Sequence, residues 1–259
     1  IFSREGKCSA AIARNIGGKE ASGDILVFLD GDMKLNEDFL SVAIEENGDL
    51  VYPFLTGIYR HCFYDKNDDI VKEKFNRIIQ DNILEKTTGG FFVITKKLWQ
   101  KIGGMDNRLD RNEDLDLGLR LCRINIPPLR LAVIGISHYT SINKFSAQLL
   151  QIAFHYRYSS VLTRKHLLNV HYLPMLLRTN YTSVCLFATM LLAFANINFF
   201  LLYVLLISIR AFMNKANNNI RMILYYFLRD MVFIISFLVY YPRVPKVSYK
   251  EHIVERKSF

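Results

Sequence analysis

Ile25-Leu26-Val27-Phe28-Leu29 runs directly into Asp30-Gly31-Asp32, an apolar stretch that ends in two carboxylates around a glycine. Five apolar residues in a row are short enough for a buried strand. At positions i and i+2 the Asp30 and Asp32 side chains leave one face of an extended backbone, and Gly31 permits a tight turn between them. Carboxylates so close repel each other unless a cation lies beside them. The pair therefore asks for Mg²⁺ or Mn²⁺, hard ions that take oxygen ligands, with a diphosphate completing the shell. Turn chemistry uses the same residues, and Asp32 fits equally well as the cap of a helix beginning near Asn36, so the surrounding chain has to decide.

Working outward, further short apolar runs at Leu50–Pro53, Phe91–Thr95 and Leu129–Ile134 read as strands. Between them the periodic polar stretches Cys8–Lys19, Glu37–Glu46, Asp68–Ile83, Lys96–Ile102 and Glu113–Arg123 read as helices. Strand and helix in alternation predict an α/β layer fold with a mostly parallel sheet and helices on both faces. Sheets of that kind bind ligands at the carboxyl ends of their strands.

With 51% hydrophobic and 22% charged residues in 259, the chain has enough apolar content for a sizeable core. Its net charge of +9 is unevenly placed: residues 1–145 carry 20 Lys and Arg against 21 Asp and Glu, and residues 146–259 carry 13 against 3. A near-neutral first part argues against a nucleic-acid face there, and no nucleic-acid partner is expected. Cys8, Cys62, Cys122 and Cys185 have neither disulfide-framework nor zinc-site spacing.

The excess positive charge accompanies apolar sequence. Phe145–His166 reads as an interfacial helix, and Arg178 and Arg210 bracket 31 residues without any charge. At 1.5 Å per residue a helix of that length overshoots a hydrocarbon core of roughly 30 Å, so it must tilt or bend. Asn196 and Asn198 lie near its middle and both flanks are basic, which favours a re-entrant hairpin or two short tilted spans. A second apolar stretch, Met222–Tyr241, contains Arg229-Asp230, a charge pair that is costly in lipid unless it faces protein or headgroups. The expected organisation is a catalytic domain over 1–144, an amphipathic linker over 145–178, and transmembrane or re-entrant helices with a basic tail over 179–259.

Two more segments bear on the site. Gly89-Gly90 precedes the Phe91–Thr95 run, where paired glycines let a ligand approach the backbone or simply make a turn. Arg108 to Asp116 opens a helix with Glu113, Asp114 and Asp116 in its first turn, a pattern that dipole pairing alone explains.

Taken in order, Ala13-Arg14-Asn15-Ile16-Gly17, Ala21-Ser22-Gly23-Asp24 with Asp30-Gly31-Asp32, Gly89-Gly90-Phe91 and Asn112-Glu113-Asp114-Leu115 resemble the family 2 glycosyltransferases of the GT-A fold. The resemblance covers about residues 4–170, and the apolar segments with an embedded Arg-Asp resemble the family's membrane-attached members. It implies an inverting transfer of sugar from a nucleotide-diphosphate donor to a sugar or lipid-linked acceptor, in cell-surface polysaccharide or glycolipid synthesis at the inner (cytoplasmic) membrane, with the catalytic domain on the cytoplasmic side.

On matching positions it implies Asp114 as general base, with Glu113 positioning the acceptor or the base. Asp30, Asp32, Arg14 and Asn15 would bind the donor, Gly89 and Gly90 would lie against the acceptor, and Asp32, Asp30 and His138 would hold Mg²⁺ or Mn²⁺. His138, in Ser137-His138-Tyr139, follows the predicted 129–134 strand. Members of this family begin with a strand-helix-strand unit, and on that pattern the domain is expected to be N-terminally incomplete. Two other readings stay open: a sugar nucleotidyltransferase, which also uses paired carboxylates and Mg²⁺, and a noncatalytic membrane-bound binding module.

Overall fold

The computed structural model describes residues 2–3, 8–65, 69–141, 145–213 and 219–251. In chain order the elements are β1 (Phe2–Ser3), α1 (Ala10–Glu20), β2 (Ile25–Phe28), β3 (Met33–Leu35), α2 (Phe39–Ala43), β4 (Phe54–Tyr64), β5 (Ile70–Phe75), β6 (Ile83–Leu84), β7 (Phe92–Thr95), α3 (Lys96–Ile102), α4 (Glu113–Arg123) and β8 (Leu129–Ser141). Five helices follow, α5 (Phe145–His166), α6 (Leu173–Thr179), α7 (Tyr181–Ala193), α8 (Phe199–Met213) and α9 (Asn219–Val239), and then β9 (Lys250–Glu251). The chain divides into two compact units, Ile1–Ile142 with Pro242–Phe259, and Asn143–Tyr241. Residues after 241 thus belong with the first unit rather than with the helices: β9 pairs with β1, and Tyr249 accepts a hydrogen bond from Lys19 at 2.9 Å.

The first unit is α/β, built on a sheet of order β2-β7-β4-β8-β3, with β5 on β4 and β6 on β8. Among the described pairs only β4 and β8 run parallel. The others are antiparallel, so the sheet is mixed where a mostly parallel one was expected. Strand direction follows from long-range pairing, and the 68–83 stretch read as a helix in fact supplies β5 and β6. Lys72-Glu73-Lys74 lie between Ile70-Val71 and Phe75 on a strand whose side chains are all exposed, so what imitated an amphipathic helix is a solvent-facing edge.

Both faces of the sheet are covered. Phe28, Phe54, Phe92 and Ile94 pack with Ala11, Leu98, Trp99, Met105, Leu117 and Leu121 on the face of α1, α3 and α4, with Phe28 and Trp99 rings 4.6 Å apart. The alternate residues Leu55, Phe91 and Val93 face the other way, onto Phe39, Ala43, Tyr59 and Ile136. This period-two division is what a sheet buried on both sides requires.

Local signals set the helix ends that matter for the site. Ser9 caps α1 by accepting from Ile12 N–H, and Thr95 caps α3 by accepting from Leu98 N–H at 3.3 Å. In α4 Glu113, Asp114 and Asp116 occupy the positive end and Arg120 and Arg123 the negative end, matching the helix dipole. Arg120 also pairs with buried Asp116 at 2.9 Å and donates to the carbonyls of Ile102 and Gly104, both at 2.7 Å, tying α4 to the turn after α3.

In the second unit the uncharged run breaks into α7 and α8 at 194–198, where Asn196 accepts from the Asn198 N–H at 2.9 Å. A bend at the two asparagines was expected, and the helices on either side pack against each other. Among the described residues, Ile220–Val239 is the one helix long and apolar enough to cross a membrane; α6 and α7, bent by 84°, make a second only if counted as one span. Arg229 and Asp230 are buried, with Asp230 also accepting from Ser183 at 2.6 Å and Tyr203 at 3.1 Å.

Candidate active site

Strand β2 stops at Phe28, and the Asp30-Gly31-Asp32 segment turns before β3 begins. The two carboxylates therefore do not leave one face of an extended strand as expected. Asp30 accepts from Arg14, while Asp32 turns to His138, whose Nε2 lies 3.1 Å from Asp32 Oδ2. Gly31 is not in the left-handed region, and a Cβ there would meet nothing within 4 Å. The turn does not depend on glycine.

Arg14 is the hub on the other side of this turn. It is 8% exposed on the buried face of α1 and gives one guanidinium nitrogen to Asp30 and the other to Glu113 Oε1 at 3.0 Å. A buried guanidinium needs such partners to offset its desolvation, and its fork suits two carboxylates at once. Arg14 thus joins the Asp30 turn to the first residue of α4. Arg14 and Asp30 both line a cavity of about 460 Å³ between α1 and β2, the strand at the end of the sheet order.

At the α4 start, burial first and then the charge of Asp114 hold the Glu113 carboxyl above the ordinary carboxylate range, with Arg14 pulling the other way. Asp114 is half-buried; its Oδ1 accepts from Leu115 N–H at 2.8 Å and its Oδ2 from the Thr87 hydroxyl at 3.4 Å. The structure thus brings Arg14, Asp30 and Glu113 together through one guanidinium, with Asp114 next in the chain.

Gly89 and Gly90 have identifiable reasons to be glycine. Gly89 has φ +69°, and a side chain there would collide with the Tyr59 hydroxyl; one at Gly90 would collide with the Asp30 carboxylate. Tyr59, which the sequence reading passed over, organises this loop: its hydroxyl lies 2.9 Å from Thr88 O and 3.0 Å from Phe91 O and accepts from Phe91 N–H at 2.9 Å. Burial pushes its phenol up to about 12. Asn15 has its amide committed elsewhere. It donates to Met105 O at 2.8 Å and Asn107 Oδ1 at 2.7 Å and accepts from Met105 N–H at 2.8 Å, so it holds the 103–107 turn.

His138 lies inside β8 rather than after it, because that strand extends to Ser141 instead of ending at Ile134. The β4 register sets His61 directly beside it, with the two Nδ1 atoms 2.9 Å apart. His61 was also missed, since no strand was read at Phe54–Tyr64. Burial first, then His138 and Lys74, lower its pKa.

Among the described residues no group of three or more His, Cys, Asp and Glu side chains is gathered as a metal cage. Asp32 and His138 nevertheless offer one oxygen and one nitrogen side by side, with Asp32 56% exposed. Two protein ligands with an open outer face fit a cation that shares its shell with phosphate oxygens, and the imidazole suits Mn²⁺ better than Mg²⁺. Asp30, expected as a further ligand, is engaged by Arg14.

No protein-family model matches the sequence. Among solved structures the chain is similar to that of GalNAc-T7 with UDP, GalNAc and Mn²⁺, at 13% identity and a TM-score of 0.43, over 53% of this chain and 31% of that one. The chain thus spans less than a third of the length of that structure.

Proposed function

We propose that this chain is a membrane-attached glycosyltransferase that moves a sugar from a nucleotide-diphosphate donor to an acceptor hydroxyl with inversion. The observation that carries the reading is the Arg14 bridge: it joins Asp30 of the strand-terminal acidic turn to Glu113 of the acidic helix start, two segments far apart in sequence. Family 2 enzymes, which the order of motifs resembles, use these two segments for donor and acceptor.

In this reading the cavity between α1 and β2 receives the nucleotide, with Asp30 and Arg14 on its wall. Asp32 and His138 would hold Mn²⁺ or Mg²⁺, an ion that would supply positive charge against the diphosphate. Asp114 takes the proton of the acceptor hydroxyl, its carboxylate oriented by Leu115 N–H and Thr87. Glu113, fixed by Arg14, sets the position of that base. Gly89 and Gly90 bring the loop backbone close to the acceptor. Catalysis lies in residues 1–144 and faces the cytoplasm, and the helices beyond attach it to the inner membrane, where the acceptor is a lipid-linked or cell-surface saccharide.

The test is Asp114→Asn. Turnover should fall by about 10²–10⁴, the usual worth of a positioned base, while donor affinity measured by calorimetry stays within about threefold. Unchanged turnover removes Asp114 from this role.

A further inference from the structure

We propose that His61 is a positioning residue for the cation site, fixing through its Nδ1 the tautomer and ring orientation that turn His138 Nε2 toward Asp32. The inference rests on the reading above, in which Asp32 and His138 hold the divalent cation.

The pairing is built into the sheet. Parallel strands β4 and β8 place His61 and His138 at the same register, on one face, with ring centroids 5.1 Å apart and planes at 70°. Their Nδ1 atoms are 2.9 Å apart, so one nitrogen carries a proton and the other accepts it. His138 Nε2 in turn lies 3.1 Å from Asp32 Oδ2. Two proton arrangements satisfy the contact between the rings. In one, His61 Nδ1–H donates to His138, and His138 Nε2–H donates to the carboxylate. In the other, His138 Nδ1–H donates to His61 Nδ1 and leaves the Nε2 lone pair bare beside Asp32.

Only the second arrangement lets His138 ligate a cation, and it requires an acceptor where His61 Nδ1 stands. Passing from one to the other leaves both rings neutral. The proton between the rings moves from His61 to His138, His138 Nε2 gives its proton to water, and His61 Nε2 gains one from water. Residues two away on each side of His61 keep the ring in place: Tyr59 and Phe63 have centroids 6.2 and 6.4 Å from it. A second ring nitrogen held by an outer partner is the common device by which ligating histidines are oriented.

The test is Mn²⁺ binding to the full chain in detergent, read by the electron paramagnetic resonance signal of free Mn²⁺ at fixed pH. His61→Phe removes the acceptor, and His61→Gln reaches the Nε2 position rather than Nδ1. Both should weaken Mn²⁺ binding by about 10- to 100-fold, the usual cost of losing such a partner. His61→Asn, whose amide oxygen reaches the Nδ1 position, should stay within about threefold of the parent. Asn and Gln variants equally weak, or a Phe variant within about twofold of the parent, would overturn the assignment. Asp32→Ala and His138→Ala proteins that bind Mn²⁺ as the parent does would instead remove the cation site itself, and the inference with it.

Discussion

Arg14 Nη1 lies 3.0 Å from Glu113 Oε1, a contact between residues 99 positions apart that closes the site between α1 and α4. Its other nitrogen holds Asp30, so one side chain fixes both acidic segments. Arg14→Ala leaves a buried carboxylate at Glu113 without its counter-charge. The expected cost is about 2–4 kcal/mol of stability, read as a lower unfolding midpoint, together with loss of donor hydrolysis. Arg14→Lys should recover little of either, because an ammonium cannot reach both carboxylates with a planar fork. Full activity in the lysine variant would show that charge alone suffices.

Glu113 makes stability depend on pH in a defined direction. Its carboxyl is raised by burial and by Asp114, so the folded state holds the proton more tightly than the unfolded one. That contribution is whole below the unfolded value near 4.5 and is lost as pH rises through the folded value. Melting temperatures of the parent and of Glu113→Gln, which mimics the protonated form, should therefore separate as pH is raised from 4, with the parent falling relative to the variant. Curves that stay parallel would contradict the assigned shift.

The glycines around the site should sort by geometry rather than by motif. Gly90→Ala drives a methyl into the Asp30 carboxylate, and Gly89→Ala adds a side chain at φ +69° against Tyr59. Each should cost about 1–3 kcal/mol, and Gly90→Ala should reduce donor turnover at least about tenfold. Gly31→Ala, at the centre of the acidic motif, meets open space and should change stability by no more than about 0.5 kcal/mol. Kinetics and thermal unfolding of the three variants decide the order.

The helical unit has its own hub at Asp230, where Arg229, Ser183 and Tyr203 converge. Asp230→Leu leaves a buried guanidinium and two hydroxyls without their acceptor and should lower stability by about 3–5 kcal/mol in detergent, whereas Asp230→Asn should lose less than half of that. Equal losses would show that the oxygen acceptor does not matter there.

Much of this architecture is legible in short range. Ile25–Phe28 is announced by its apolar run, Lys96–Ile102 and Glu113–Arg123 by periodicity, and Phe145–His166 by its length. The central strand Phe54–Tyr64 was not, because Gly57, Arg60 and His61 interrupt its apolar character and its justification is long-range: Arg60 donates to Ser137 at 2.7 Å, and His61 faces His138. Missing that strand also hid Tyr59 and His61. The acidic turn is legible as a feature, but its geometry is not: which partner each aspartate takes depends on Arg14 and His138, brought in by α1 and β8. The resemblance places Asn15 at the donor, yet an amide with three fixed partners serves the turn after α3.

The most direct test of the account is metal-dependent release of nucleoside diphosphate from a panel of UDP-, GDP- and dTDP-sugars by detergent-solubilised protein, beside an Asp32→Ala control. The account predicts Mn²⁺-dependent release from at least one donor, abolished in the control. Release from no donor with Mn²⁺ or Mg²⁺, or release unaffected by Asp32→Ala, would contradict it.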